Sequence, residues 1–240
     1  MRAKLLSGYF TRTEKVLWCT SMALIAASFC IFDTTNYLTL TASFVGVTSL
    51  IFCAKGNPFG QLLMIVFSVI YGIISLRVGY YGEMITYLGM TAPMAVFSLV
   101  SWLRNPAAGN RSEVAVNCLR RSELILTAVL TAGITAAFYW ILRALYTANL
   151  IPSTVSVATS FSAAYLTFRR SAYFALAYAA NDLMLVVLWG MASAAVLSCI
   201  SVLICFVIFL LNDIYGFISW KGMQRRQAAA QQGQTQKNAI

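Results

Sequence analysis

The chain has no histidine, and only seven of its 240 residues are acidic. Its six cysteines, at 19, 30, 53, 118, 199 and 205, include no CxxC pair. Imidazole and paired thiolates are the usual ligands of zinc and haem, so no metal and no cofactor is expected, and the cysteines read as small hydrophobes. No GxxxxGK[ST] loop is present, which excludes ATP hydrolysis by that route. The few carboxylates have no histidine or nucleophile motif beside them. No catalytic residue is therefore expected, and an enzyme is not the reading.

Charge is scarce as well. Charged residues make up 10% of the chain and hydrophobic residues 60%, whereas a soluble domain carries about 25% charge. This composition predicts an all-α integral membrane protein whose main partner is the lipid bilayer. The net charge of +10 does not point to nucleic acid, because the basic residues lie between and outside the apolar runs, as topogenic charges do. The leader "MRAKLLSGYFTRTEK" is basic, but the apolar run from Val16 leads into "FCIFDTTNY" with no small-x-small cleavage site, so it reads as a retained first helix.

A crossing helix needs about 20 mostly apolar residues. Eight spans satisfy this window, at 16–32, 38–54, 58–77, 82–103, 122–146, 153–169, 173–193 and 195–220, with a tight turn near Ser193. With this count, fifteen basic residues fall on one side: Arg2, Lys4, Arg12, Lys15, Lys55, Arg104, Arg111, Arg120, Arg121, Arg169, Arg170, Lys221, Arg225, Arg226 and Lys237. Only Arg77 and Arg143 fall on the other. The positive-inside rule then puts both termini in the cytoplasm of a bacterial inner membrane. The tail "QAAAQQGQTQKNAI" reads as disordered.

The segment 39–103 resembles 154–221. "TASFVGVTSLIFCAKG" aligns with "ATSFSAAYLTFRRS", and "FSLVSWLRN" with "YGFISWKGM". Each repeat holds three spans, and the fifth span lies between them. An odd connector makes the repeats parallel, a known transporter plan with its site between the repeats near mid-bilayer. The expected division is 1–37 as N-terminus and extra helix, 38–104 as first bundle, 105–152 as loop and linker helix, 153–222 as second bundle and 223–240 as tail.

Two Asn–Asp pairs interrupt the apolar runs, Asn181–Asp182 and Asn212–Asp213. A carboxylate at the bilayer centre costs roughly 2.5–3.5 kcal/mol on insertion scales, so such residues suggest function. Counted from the helix ends, Asp182 lies roughly 14 Å and Asn212 about 12 Å from the same side, which puts both pairs near one level. On span seven Tyr178, Asp182, Leu185 and Trp189 share a face, with Asn181 adjacent. Asn212 and Tyr215 lie along one side of span eight. Span three adds Gln61 and Tyr71, and span four adds Glu83 and Tyr87, with Gly89 and Pro93 as kink points. Successive helical residues point about 100° apart, so Asn212 is expected to face the site and Asp213 to pack against helices. Trp102 and Trp220 read as interfacial belt residues.

Aromatic faces can stack a planar ring or hold a cation, and amides can bond hydroxyls. The candidate substrate-binding residues are thus Asn212, Asn181, Asp182, Trp189, Tyr178, Gln61, Tyr215 and Tyr87. The rival reading is a buried polar network that only fixes helix packing.

The stretches "AYAANDLMLVVLW", "LLNDIYGFISWKGMQRRQ" and "GQLLMIVFSVIYGIISLRVGYYGEMITY" resemble the PnuC family of bacterial vitamin transporters over residues 38–227. The resemblance implies a SWEET-like 3+1+3 fold of two parallel three-helix bundles around a linker helix, here with an extra first helix. It also implies facilitated diffusion of a vitamin that a cytoplasmic kinase then traps by phosphorylation, and a homo-oligomer, a trimer in particular. Nicotinamide riboside is the expected solute, since its cationic ring suits the aromatics and an Asp. Thiamine, a deoxynucleoside, proton-coupled symport and a vitamin-capturing subunit of an ATP-driven complex are the alternatives.

Overall fold

The computed structural model describes residues 9–78, 81–147 and 149–237. Arg2 and Lys4, counted above on the basic side, lie outside the described residues, as do the last three residues of the tail. Eight long helices follow one another: α1 (Arg12–Phe32), α2 (Tyr37–Ala54), α3 (Phe59–Val78), α4 (Tyr81–Arg104), α5 (Arg121–Ala144), α6 (Leu150–Phe168), α7 (Phe174–Ser193) and α8 (Cys199–Lys237). All but α6 are long and apolar enough to cross a membrane. The exception carries Ser153, Thr154, Ser156, Thr159, Ser160, Ser162 and Thr167. These hydroxyls lower its hydropathy while bonding its own turns, as Thr154 does to the Leu150 carbonyl and Ser162 to that of Ala158.

Two features depart from the sequence reading. The segment after α4 is not a plain loop. It forms a hairpin of β1 (Pro106–Ala107) and β2 (Asn110–Val114). Gly109 at φ +79° supplies the left-handed turn between the strands. The tail expected to be disordered is instead helical as far as Lys237, continuing α8. Its Ala, Gln, Lys and Arg are good helix formers, and Arg226 and Gln227 are held by Glu113 at 2.7 and 2.8 Å.

α4 is interrupted by a π-helical turn, Thr86–Thr91, beside the expected kink residues Gly89 and Pro93. Proline has no N–H, and its ring crowds the carbonyl four residues back, here that of Gly89. The turn widens, the Ala92 amide bonds the Tyr87 carbonyl, and the Thr91 hydroxyl reaches the Thr86 carbonyl at 3.2 Å.

One end of the bundle, called here the hairpin face, gathers the start of α1, the α2–α3 and α6–α7 turns, the β-hairpin and the distal part of α8. The segment after β2 ties these together. Val114 N–H bonds Gly56 O, Ala115 N–H bonds Asn105 O and Asn117 N–H bonds Arg170 O, each at 2.9 Å. Val116 N–H reaches Gln227 Oε1 at 2.8 Å. α1 joins through a capping box, Thr11 with Glu14. Glu14 also pairs with Lys55 at 3.1 Å and accepts from the Tyr215 hydroxyl at 3.2 Å.

Trp102 and Trp220 are not at a lipid interface. Both are fully buried on this face, with ring centroids 5.3 Å apart. Their N–H groups explain the burial. Trp102 Nε1 donates to Thr167 O at 2.9 Å, and Trp220 Nε1 donates to Cys53 O at 2.7 Å. The serine before each does the same one residue further on, Ser101 to Phe168 O at 2.9 Å and Ser219 to Ala54 O at 2.8 Å.

The α2–α3 hairpin is tight because Gly60 has no side chain. A Cβ there would lie 2.6 Å from Cys53 Sγ and 2.7 Å from Cys53 N. The close approach lets Ser49 Oγ donate to Gly60 O at 2.8 Å. Overpacking of this kind costs about 1–3 kcal/mol. Gly60→Ala is therefore expected to lower the melting midpoint of the purified protein by several degrees, and an unchanged midpoint would show that the hairpin has room to spare.

Candidate functional site

α7 carries the polar residues of the interior. Asn181, Asp182, Leu185 and Trp189 are all buried along it. Asn181 turns to α6, where its Oδ1 accepts from Ser156 Oγ and Thr159 Oγ1, both at 3.1 Å. Asp182 turns to α8, where the Asp213 carboxyl lies close enough to interact with it. Among the described residues its Oδ2 has no bonding partner, although the residue is only 4% exposed. Cys205, Tyr178 and Tyr87 are the other polar groups close enough to feel the Asp182 charge.

Aromatic rings surround one side of this carboxyl pair. Tyr71 of α3 lies 4.5 Å from Tyr87 of α4, 6.4 Å from Trp189 of α7 and 5.8 Å from Phe206 of α8, centroid to centroid. Phe67 and Phe209 back the cluster at 5.6 Å from each other. Four helices thus contribute rings to one box, with the carboxyls at its edge. Tyr87 reaches it from the π turn, a distortion found often at functional sites. Between α4, α6 and α7 lies a cavity of about 20 Å³, lined among others by Glu83, Thr86, Ser156, Ser160 and Asn181. That volume is enough for one water.

The sequence candidates divide into three groups. Asn181, Asp182, Tyr178, Trp189 and Tyr87 lie around the carboxyl pair or the aromatic box. Gln61 sits nearer the hairpin face, donating to Cys53 Sγ at 3.2 Å. Cys53 is itself near enough to Asp213 and Tyr178 to interact with both, so Gln61 marks one end of a polar column. Asn212 and Tyr215 point elsewhere. Asn212 Nδ2 bonds Ser21 Oγ on α1 at 3.1 Å and its own Ile208 carbonyl at 2.8 Å. Tyr215 belongs to the Glu14–Lys55 group.

The division expected within the second Asn–Asp pair is therefore reversed: Asp213 faces the interior and Asn212 packs against α1. The 100° argument correctly separated the two side chains. It could not say which side α1 occupies, because that depends on the docking of a helix outside the repeat. Asp213, Tyr71 and Glu83 complete the inner set. Tyr71 and Glu83 were visible as polar residues in apolar spans, but no spacing singled them out.

The Asn212–Ser21 bond has a consequence for stability. A buried hydrogen bond of this kind contributes about 1 kcal/mol, and contacting pairs show it as a coupling energy. Asn212→Ala and Ser21→Ala are each expected to lower the melting midpoint, and the double variant to fall less than the two together. Full additivity would show that the bond does not hold α1.

With the geometry in view, the chain can be set beside known proteins. A family model described as nicotinamide mononucleotide transporter matches residues 36–222. A nicotinamide riboside transporter PnuC from Neisseria mucosa is 25% identical over 228 residues, covering 93% of this chain and 86% of that protein. The crystal structure of the vitamin B3 transporter PnuC superposes with a TM-score of 0.79 at 22% identity, over 92% of this chain and 95% of the other. It shares the helical fold. The chain belongs to the nicotinamide mononucleotide transporter family, the family of PnuC, whose members are multi-pass membrane transporters.

Proposed function

We propose that this chain carries nicotinamide riboside across the cytoplasmic membrane by facilitated diffusion. One observation supports this most directly. A box of Tyr71, Tyr87 and Trp189 stands against the carboxyls of Asp182 and Asp213. Aromatic faces and a carboxylate are what a permanently cationic, planar pyridinium ring requires. The amide of Asn181 and the hydroxyls beside it suit the carboxamide and the ribose.

The same electrostatics bear on the choice between riboside and mononucleotide. Among the described residues, no Lys or Arg acts on Asp182, Asp213 or Tyr87. A phosphate carries close to two negative charges. Burying it beside carboxyls with no cation is unfavourable. The site thus favours the dephosphorylated form, in line with the name of the Neisseria relative.

The proposed architecture is two parallel three-helix bundles, α2–α4 and α6–α8, joined by α5, with α1 as the additional helix. The matched bonds of the two Ser–Trp pairs support this division. The charge asymmetry supports a cytoplasmic hairpin face.

Uptake into liposomes holding only the purified protein, without ion gradients, tests the reading. Nicotinamide riboside is expected to equilibrate and its mononucleotide to stay outside. Flux equal to that of empty vesicles for every candidate vitamin would refute it. Transport by this chain alone would also set aside a mere capture subunit. Loss of one ring of the box is expected to weaken binding about tenfold, so Trp189→Ala should raise the Kd by that factor without changing the elution volume. The neighbouring carboxyls favour a second reading, proton-coupled symport, in which the pair takes up and releases a proton. Accumulation driven by a pH gradient would select it, and accumulation that stops at equal concentrations would exclude it.

A further inference from the structure

We infer that the two Ser–Trp pairs form the gate on the hairpin face, and that a solute leaves at that face only when their bonds to α2 and α6 break. The inference rests on the carrier reading given above. It begins from an exchange between distant helices. The pair on α4 bonds the end of α6, and the pair on α8 bonds the end of α2. In each case the serine takes the last helical carbonyl and the tryptophan takes the one before it.

The receiving ends match as well. Each helix is followed by a residue in the left-handed region, Gly56 at φ +64° and Arg170 at φ +57°. Each of those residues offers its carbonyl to the segment after the β-hairpin, Gly56 to Val114 N–H and Arg170 to Asn117 N–H. The arrangement is the same joint built twice. The repeat accounts for its occurring twice; that the two copies exchange donors and meet at the centre places them where the two halves must separate.

The position fits a barrier. The two indole rings touch across the centre at 5.3 Å, and Phe174 wedges against Trp220 at 4.8 Å. Directly inside lies Cys53, whose carbonyl receives the Trp220 bond and whose thiol receives the Gln61 amide. Asp213 is two helical turns from Trp220, about 10 Å along α8. A solute released by the carboxyl pair toward the hairpin face therefore meets Cys53 and then the paired rings. Four side-chain bonds hold that point, and all four cross between separate helices.

Native cysteines allow a direct test. Membrane vesicles of either orientation are treated with a quaternary-ammonium methanethiosulfonate, and labelling is read residue by residue by mass spectrometry. Cys118 is exposed on the hairpin face and identifies which vesicles present it. Cys53 reports passage of the latch, and Cys199, half-buried at the opposite end of α8 about 31 Å from Trp220, reports general loosening.

Trp102→Phe and Trp220→Phe keep an aromatic ring and remove the N–H together with part of the ring volume. Each is expected to raise Cys53 labelling about fivefold to tenfold, the effect of one lost buried bond. The rise should occur only in vesicles with the hairpin face outward, and Cys199 labelling should not change. Unchanged Cys53 labelling in the double variant would overturn the gate. So would an equal rise at Cys199, or a rise from the opposite face. If the tryptophan variants do not fold, Ser101→Ala with Ser219→Ala must show the same pattern, and its absence overturns the gate equally. Because labelling needs no solute, latch-dependent labelling in a protein that moves no vitamin would refute the carrier reading rather than the joint.

Discussion

The last carbonyls of an α-helix have no partner within the helix. In water this costs little, because solvent supplies the missing donor. Between packed membrane helices it does not, and each unmet carbonyl costs several kcal/mol. α2 and α6 both end in such a place. Their final carbonyls are met by Ser219 and Trp220 for one and Ser101 and Trp102 for the other. The Cys53 and Thr167 carbonyls also take the N–H of Gly56 and Arg170, each at 2.9 Å, and the side-chain donors to all four carbonyls bring α4 and α8 together and close the hairpin face.

The interior follows the same rule with different groups. Ser156 and Thr159 satisfy Asn181, Ser21 satisfies the Asn212 amide, and Glu14 receives Lys55 and Tyr215. Among the described residues the Asp182 carboxyl lies beside another carboxyl and its Oδ2 has no partner, as is also true of Asn212 Oδ1 where that side chain packs against α1. The Asp182 oxygen differs in its surroundings, since Tyr87 of the aromatic cluster lies near it.

Much of this was legible in the sequence. Apolar length placed the first seven helices to within a few residues, because the bilayer imposes the length itself, but it missed the polar extension of α8 to Lys237. The face of α7 with Tyr178, Asp182 and Trp189 could be read from spacing alone. What could not be read was anything set by contact between distant segments. Trp102 and Trp220 have the sequence signature of belt residues, and only the carbonyls of Thr167 and Cys53 distinguish them from it. Asp213 was assigned to packing because α1 could not be placed. The tail seemed disordered because its composition is polar, yet Glu113, more than a hundred residues earlier, holds Arg226 and Gln227 and steadies the helix.

The crossed joint also bears on how the chain is made. The Cys53 and Ala54 carbonyls enter the membrane early, but their donors Trp220 and Ser219 lie 167 and 165 residues further along the chain. Through most of synthesis the end of α2 is therefore held only by its own turn, through bonds such as Gly56 N–H to Cys53 O, and lacks its side-chain donors. The counterpart end of α6 has no such wait, since Ser101 and Trp102 are already in place when it arrives. Assembly is thus unequal although the finished joints match: the second half closes as it emerges, and the first half stays incomplete until the final helix is inserted.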